Sequence, residues 1–259
     1  MKENLRLPIL FFSLLMLSMA CKKNDINSGC EEAFPAVAGF SIKEKVGNSY
    51  FIADTVFRQN SIVFETTQPY DSISWKIGND PRTFDTSILK FNFNGILGTI
   101  DIILNAKAVP NQRCFSGDNR VYSGKKSLTI VEEFDKSSLT ISPMVGRYKG
   151  GFIEIPNDTF SVTINYFDSS KYNPSFTGTK NFYWISNIPK NYQDLTSLEA
   201  SYPELRNGMR PIMGYKGLEF GNLGDGKKGE GRAELKHDTL LIYYSNALTG
   251  RNTFIGKRQ

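Results

Sequence analysis

Tyr70-Asp71-Ser72-Ile73-Ser74-Trp75-Lys76-Ile77-Gly78 alternates apolar and polar side chains. In an extended strand this period of two turns Ile73, Trp75 and Ile77 to one side and Ser72, Ser74 and Lys76 to the other, so one face is buried and one meets water. Gly78-Asn79-Asp80-Pro81 then supplies a turn. The pattern recurs on both sides. Upstream, Phe40 and Ile42 begin an alternation, and after Gly47-Asn48 the run Ser61-Ile62-Val63-Phe64-Glu65-Thr66 reads as a strand. Downstream, Thr83 to Phe93 sets Leu89, Phe91 and Phe93 on one face, Gly98 to Lys107 sets Ile100, Ile102, Leu104 and Ala106 on one face, and Leu128 and Ile130 close the set. Six or seven short strands in about a hundred residues, with a Trp on the third, predict a β-sandwich over residues 36–132 with Trp75 in its core.

The order of these motifs resembles PKD domains, an Ig-like family whose usual run is Trp-x-Phe-Gly-Asp-Gly followed later by Gly-Thr-Tyr-x-Val. Here the matching residues are Trp75-Lys76-Ile77-Gly78-Asn79 and Gly98-Thr99-Ile100-Asp101-Ile102, with Ile77 in place of the aromatic and Asn79-Asp80 in place of Asp-Gly. The resemblance implies an extracellular spacer or a glycan or protein binder, with no catalytic residues attached to the motif.

The start of the chain speaks to location. Lys2 and Arg6 precede an apolar run from Leu7 to Met19 that is short for a bilayer span of about 20 residues, and small residues follow it. Ser18-Met19-Ala20-Cys21 resembles a lipobox, which implies a signal peptide over residues 1–20 and a diacylglycerol thioether on Cys21. The departure is Ser18, where that pattern usually has Leu; the alternative is an ordinary cleaved signal or an uncleaved anchor. Cys21-Lys22-Lys23-Asn24-Asp25 is similar to the mature start of lipoproteins of the Bacteroidota type, which implies an exported, lipid-anchored protein of the bacterial cell envelope, at the outer membrane. Residues 21–35 are polar and aperiodic, as in a tether.

Composition narrows the partners. The net charge of +5 becomes +4 once Lys2, Glu3 and Arg6 are removed, and the remaining charges alternate in sign, which argues against nucleic acid. Cys30 and Cys114 remain as an even pair in an oxidising compartment, one before the first strand and one in the loop between the last two. A disulfide between them is expected, two free thiols being the alternative. His237 is the single histidine, so neither a zinc set nor any other metal or cofactor site is expected.

Residues 133–143 read as a linker, and the strand pattern restarts over 144–259. Phe160-Ser161-Val162-Thr163-Ile164-Asn165-Tyr166 points Phe160, Val162, Ile164 and Tyr166 inward; Asn181 to Ile188 and Gly214 to Phe220 are further strands. Gly231 to Lys236 and Thr239 to Ser245 flank His237-Asp238 at the spacing of a tight hairpin, and a last strand lies around Thr253 to Lys257. An antiparallel meander removes its edges by closing, so a small barrel is expected, a second sandwich being the alternative. Gly146-Arg147-Tyr148 with Arg251 near the end resembles the calycin pattern, in which Gly-x-Trp packs under an arginine of the last strand; this implies a lipocalin-like barrel. Between the strands, Leu195, Leu198, Tyr202 and Leu205 fit one face of a short helix within Asn191 to Arg206, as a lid or a plug.

No catalytic signature stands. Gly221 to Lys228 has the glycine and first lysine spacing of a phosphate-binding loop, but Lys228 occupies the Ser/Thr position and the stretch lies between strands. His237 sits at a turn without a nucleophile motif nearby. Glu219 and Glu234 are the carboxylates to inspect for glycoside hydrolysis, with solvent-facing strand charges as the simpler reading. Asp54-Thr55-Val56, Asp71-Ser72-Ile73 and Asp238-Thr239-Leu240 resemble three-residue O-glycan acceptors of Bacteroidota-type exported proteins. Among aromatics, Tyr183 and Trp184 point to opposite faces of one strand, as do Tyr243 and Tyr244, and Trp184 and Tyr243 are the candidate ligand contacts. The expectation is a non-enzymatic, all-β lipoprotein whose sandwich presents a barrel that binds a glycan, peptide or small ligand. The competing expectation is an envelope glycan-acting enzyme or an enzyme inhibitor.

Overall fold

The computed structural model describes residues 38–107, 114, 117, 120–133, 141–168, 181–186, 208–209, 211–220, 230–246 and 250–259. Cys21, Cys30, the leader, the tether, Asn191 to Arg206 and Gly221 to Lys228 lie outside the described residues. The chain is all-β, with strands and turns and no helix among the described residues.

Among the described residues, eight strands build the first module: β1 (Phe40–Val46), β2 (Ser49–Ile52), β3 (Thr55–Phe57), β4 (Ser61–Thr66), β5 (Ser72–Ile77), β6 (Ile88–Phe91), β7 (Gly98–Lys107) and β8 (Val121–Val131). They form a sandwich of two four-stranded sheets, ordered β2-β1-β4-β6 and β3-β8-β7-β5. Trp75 on β5 is fully buried between them, edge-on to Phe40 at 5.1 Å between centroids and 5.9 Å from Phe64. Its indole N–H donates to the Thr86 carbonyl at 2.8 Å, so its one polar atom is satisfied within the core.

Among the described residues, nine strands build the second: β9 (Gly146–Phe152), β10 (Ile155–Asp168), β11 (Asn181–Ser186), β12 (Gly208–Met209), β13 (Ile212–Met213), β14 (Gly217–Phe220), β15 (Glu230–Lys236), β16 (Thr239–Asn246) and β17 (Gly250–Arg258). Their order, β12-β11-β10-β9-β17-β16-β15-β14-β13, brings the first and last long strands together as an antiparallel pair. β12 pairs with β11 and β13 with β14, and only two residues separate them, so one segment reaches both open edges. Pro211 stands at the break, where a residue without an N–H cannot extend a ladder. The result is a nearly closed, eight-stranded, barrel-like sheet. Its hairpin from β15 to β16 turns through His237-Asp238, with His237 at φ 57°.

The two modules meet through a carboxylate. Phe40, Ile42, Glu44 and Val46 alternate on the buried side of β1, and Glu44 is fully buried. Its Oε1 accepts from the Phe57 backbone N–H (2.9 Å) and the Asn60 side-chain amide (2.8 Å), and its Oε2 accepts from the Tyr215 N–H of the second module (2.7 Å). Asn60 also donates to the Met213 carbonyl at 3.2 Å, and the ring of Phe57 stands edge-on to Tyr215. Two glycines permit this approach. A Cβ on Gly214 would lie 2.5 Å from Glu44 Oε2, and one on Gly217 would lie 2.3 Å from the Phe51 ring. At the periphery Lys216 pairs with the exposed Asp54 and holds that carboxyl below its usual range, while Glu219 accepts from the Asn48 N–H at 2.9 Å.

Burial pushes the Glu44 carboxyl above its ordinary value near 4.5, against the opposing pull of its three donors. Glu44→Gln keeps the shape but sets an amide N–H against one of those donors, and near neutral pH should cost about 1–3 kcal/mol of stability. A raised native value means that the folded chain holds the proton more tightly than the unfolded one. The contribution of Glu44 is therefore full below the ordinary glutamate range and falls as pH rises through the native value. Denaturant titrations from about pH 4 to about pH 8 should show the wild-type margin over Glu44→Gln narrowing with rising pH. A margin that widens or stays flat removes this account of the interface.

Candidate functional site

The barrel interior is occupied by its own side chains. Val162, Ile164, Leu218, Ile242 and Phe254 are fully buried there, with Phe160 and Tyr166 packed against them. Tyr183 also points inward; its hydroxyl accepts from the Ser142 N–H at 3.0 Å, and burial raises its pKa. Ser142, at the end of the expected linker, is itself buried and donates to the Tyr215 carbonyl at 2.7 Å, so this strand start is tied to the segment that meets the sandwich.

One end of the barrel closes under an arginine, and the residue differs from the one expected. Arg258 donates to the Tyr148 hydroxyl at 2.8 Å, lies 5.4 Å from the centre of its ring, and donates to the Pro143 carbonyl. Arg251 is exposed and pairs in register with Ser245. The antiparallel pairing explains the correction: β17 runs opposite to β9, so its C-terminal end, not its start, lies beside Tyr148.

Outside this described core, the outer face carries charged and polar groups. Ala233 and Leu235 of β15 and Leu240 and Ile242 of β16 belong to the core, so Arg232, Glu234 and Lys236 and their neighbours Leu241 and Tyr243 project outward. The Tyr243 hydroxyl donates to Glu234 Oε1 at 3.1 Å, Lys236 Nζ lies 2.9 Å from the same oxygen, and the Arg232 guanidinium stands 5.2 Å from the centre of the Tyr243 ring. Partial burial and then the Glu234 charge raise the Tyr243 pKa, so the phenol stays a donor at neutral pH. The Glu234 contact raises that of Lys236, which stays cationic. A half-exposed aromatic plane thus sits among two cations and a carboxylate.

The other expected residues are placed as follows. Trp184 is fully buried, on the opposite face of β11 from Tyr183, so it offers no open contact surface. Glu219 and Glu234 project from the outer face of neighbouring strands, in register with Arg232 and Gly217 respectively. Each is already engaged, Glu219 by the sandwich and Glu234 by Tyr243 and Lys236. His237 is an exposed turn residue. Among the described residues, no group of three or more His, Cys, Asp or Glu side chains is placed to hold a metal ion. On the sandwich, a cleft of about 460 Å³ lies at the Lys76 to Thr83 turn, where Arg82 holds the Asp80 carboxyl down to about 2. Arg82 and Asp80 pair with each other there.

The residues missed in the sequence are Glu44 and Arg232. For Glu44 a signal existed: it is the one charge in the inward series Phe40, Ile42, Val46. For Arg232 there was none beyond its parity with Glu234. No protein-family model matches the chain, and no curated protein matches it.

Truncation separates the two candidate aromatics. Trp184→Ala should cost about 3–5 kcal/mol, the range for emptying a buried aromatic site. Tyr243→Ala should cost no more than about 1 kcal/mol, the scale of a cross-strand surface pair. Chemical denaturation of both variants checks this, and equal losses would place Tyr243 in the core.

Proposed function

We propose that the protein is a non-enzymatic lipoprotein of the bacterial cell envelope, in which the sandwich holds the barrel off the membrane and the barrel captures a glycan on its outer face around Tyr243. The observation that carries this reading is the half-exposed Tyr243 ring flanked by Arg232, Glu234 and Lys236 on the outer face of the barrel. A ring offers apolar area to the C–H face of a sugar, and the flanking donors and acceptor suit its hydroxyls. The contacts through Glu44, Tyr215 and Lys216 support a presenting role for the sandwich, because they give the barrel a defined attachment. The competing reading is a glycan-acting enzyme using Glu219 and Glu234, which share a face on neighbouring strands.

The anchor belongs to the same reading. Cys21 carries the lipid, and Cys30 pairs with Cys114 as a disulfide that ties the tether to the sandwich. Two acyl chains hold a protein at a membrane where a single one gives marginal binding.

A glycan screen on the mature chain should find a ligand whose capture Tyr243→Ala weakens by at least about 1 kcal/mol with the melting transition unmoved. Capture lost only together with the fold would sink the Tyr243 reading, and consumption of the glycan would favour the enzyme. For the anchor, mass spectrometry of non-reduced protein from native membranes should find an acylated Cys21 and a Cys30–Cys114 peptide, and Cys21→Ser should release the chain. An unmodified N-terminal cysteine, or two freely alkylated thiols, would refute the respective assignment.

A further inference from the structure

The outer face of the barrel holds a second pattern beside the Tyr243 cluster. Successive strand pairings place Lys236, Thr239, Lys257, Lys149 and Ser161 opposite one another across β15, β16, β17, β9 and β10. At about 4.8 Å between strands this row spans roughly 19 Å. Lys149, Lys236 and Lys257 are exposed, and hydroxyls stand between and beside them. Lys257 and Lys149 are direct cross-strand partners. Like charges so placed destabilise a sheet, and among the described residues no carboxylate pairs with either one. Folding alone gives no reason for this arrangement; an anion laid across the strands does.

The neighbouring row runs Glu234, Leu241, Ile255 and Gly151, with Ile255 40% exposed, and the row beyond it runs Arg232, Tyr243 and Thr253. An aromatic and apolar strip therefore lies parallel to the row of cations on one face. We infer that this face binds an extended acidic polysaccharide, with the sugar rings over Tyr243, Leu241 and Ile255 and the acid groups on Lys149, Lys257 and Lys236. The inference rests on the proposed glycan-binding role and names its ligand class. Nucleic acid fits the face less well, since the strip offers Tyr243 as a single aromatic where successive bases would each need a ring to stack on.

The test compares polygalacturonate with dextran of similar length on the mature chain at low and high salt. Polygalacturonate should bind more tightly, lose affinity with salt, and bind about tenfold more weakly to the Lys149→Gln/Lys257→Gln double variant, whose dextran binding stays unchanged. The double variant should melt at or above the wild-type temperature, because a repulsion has been removed. Equal affinity for the two polymers, indifference to the double substitution, or a loss of binding that accompanies a lower melting temperature would overturn the inference. Capture of phosphatidylglycerol vesicles without capture of polygalacturonate would overturn it too, in favour of a lipid surface. The two proposals fail separately. Dextran binding that needs Tyr243 but shows no acidic preference removes only the acidic ligand. Polygalacturonate binding that needs the lysines but not Tyr243 removes only the Tyr243 site.

Discussion

A carboxylate without water must be surrounded by donors, and Glu44 obtains its third donor, the Tyr215 N–H, from the other module. That requirement shapes both sides of the contact. It brings the Gly214 to Gly217 turn so close to β1 and β2 that side chains at either glycine would collide with Glu44 or Phe51. It also covers Val46, Phe51 and Phe57, apolar residues outside the sandwich's own core cluster. No cation among the described residues neutralises the charge, so desolvation outweighs the hydrogen bonds and the carboxyl stays raised.

The attachment divides the barrel surface. β14 lies toward the sandwich, and Glu219 is spent on the Asn48 N–H there. On the neighbouring strands β15 and β16, Arg232, Tyr243, Glu234 and Lys236 contact one another on the outer face. The nearly closed sheet packs its described core side chains inward and Arg258 covers Tyr148, so the charged groups of β15 stand on the outer face. The strand registers that close the barrel also align its lysines, so one geometry accounts for the stability of the sheet and for the charge pattern it displays.

Much of this was legible along the chain, because a strand with one wet face writes its period directly into the sequence. Ile73, Trp75 and Ile77, the Phe160 to Tyr166 run, and the His237-Asp238 hairpin were all readable as strands or turns, and all are found so. Parity likewise sent one of Tyr243 and Tyr244 outward, and it is Tyr243. What parity cannot report is whether the outward face meets water or protein. Trp184 was expected at a contact surface from parity and from its large apolar area with a polar tip, yet both faces of β11 are covered and it is fully buried.

The sequence by itself determined the all-β class, the period-two elements and the restart of the pattern after residue 143, since these follow from local alternation of side chains along one strand. Only the tertiary structure decided that Glu44 is a buried link between modules, that Arg258 rather than Arg251 covers Tyr148, and that Lys149 faces Lys257. The first depends on how the two modules pack, the other two on which strand lies beside which and in what register. Residues more than a hundred positions apart are brought within one hydrogen bond by module packing or strand pairing, and no local period encodes that distance.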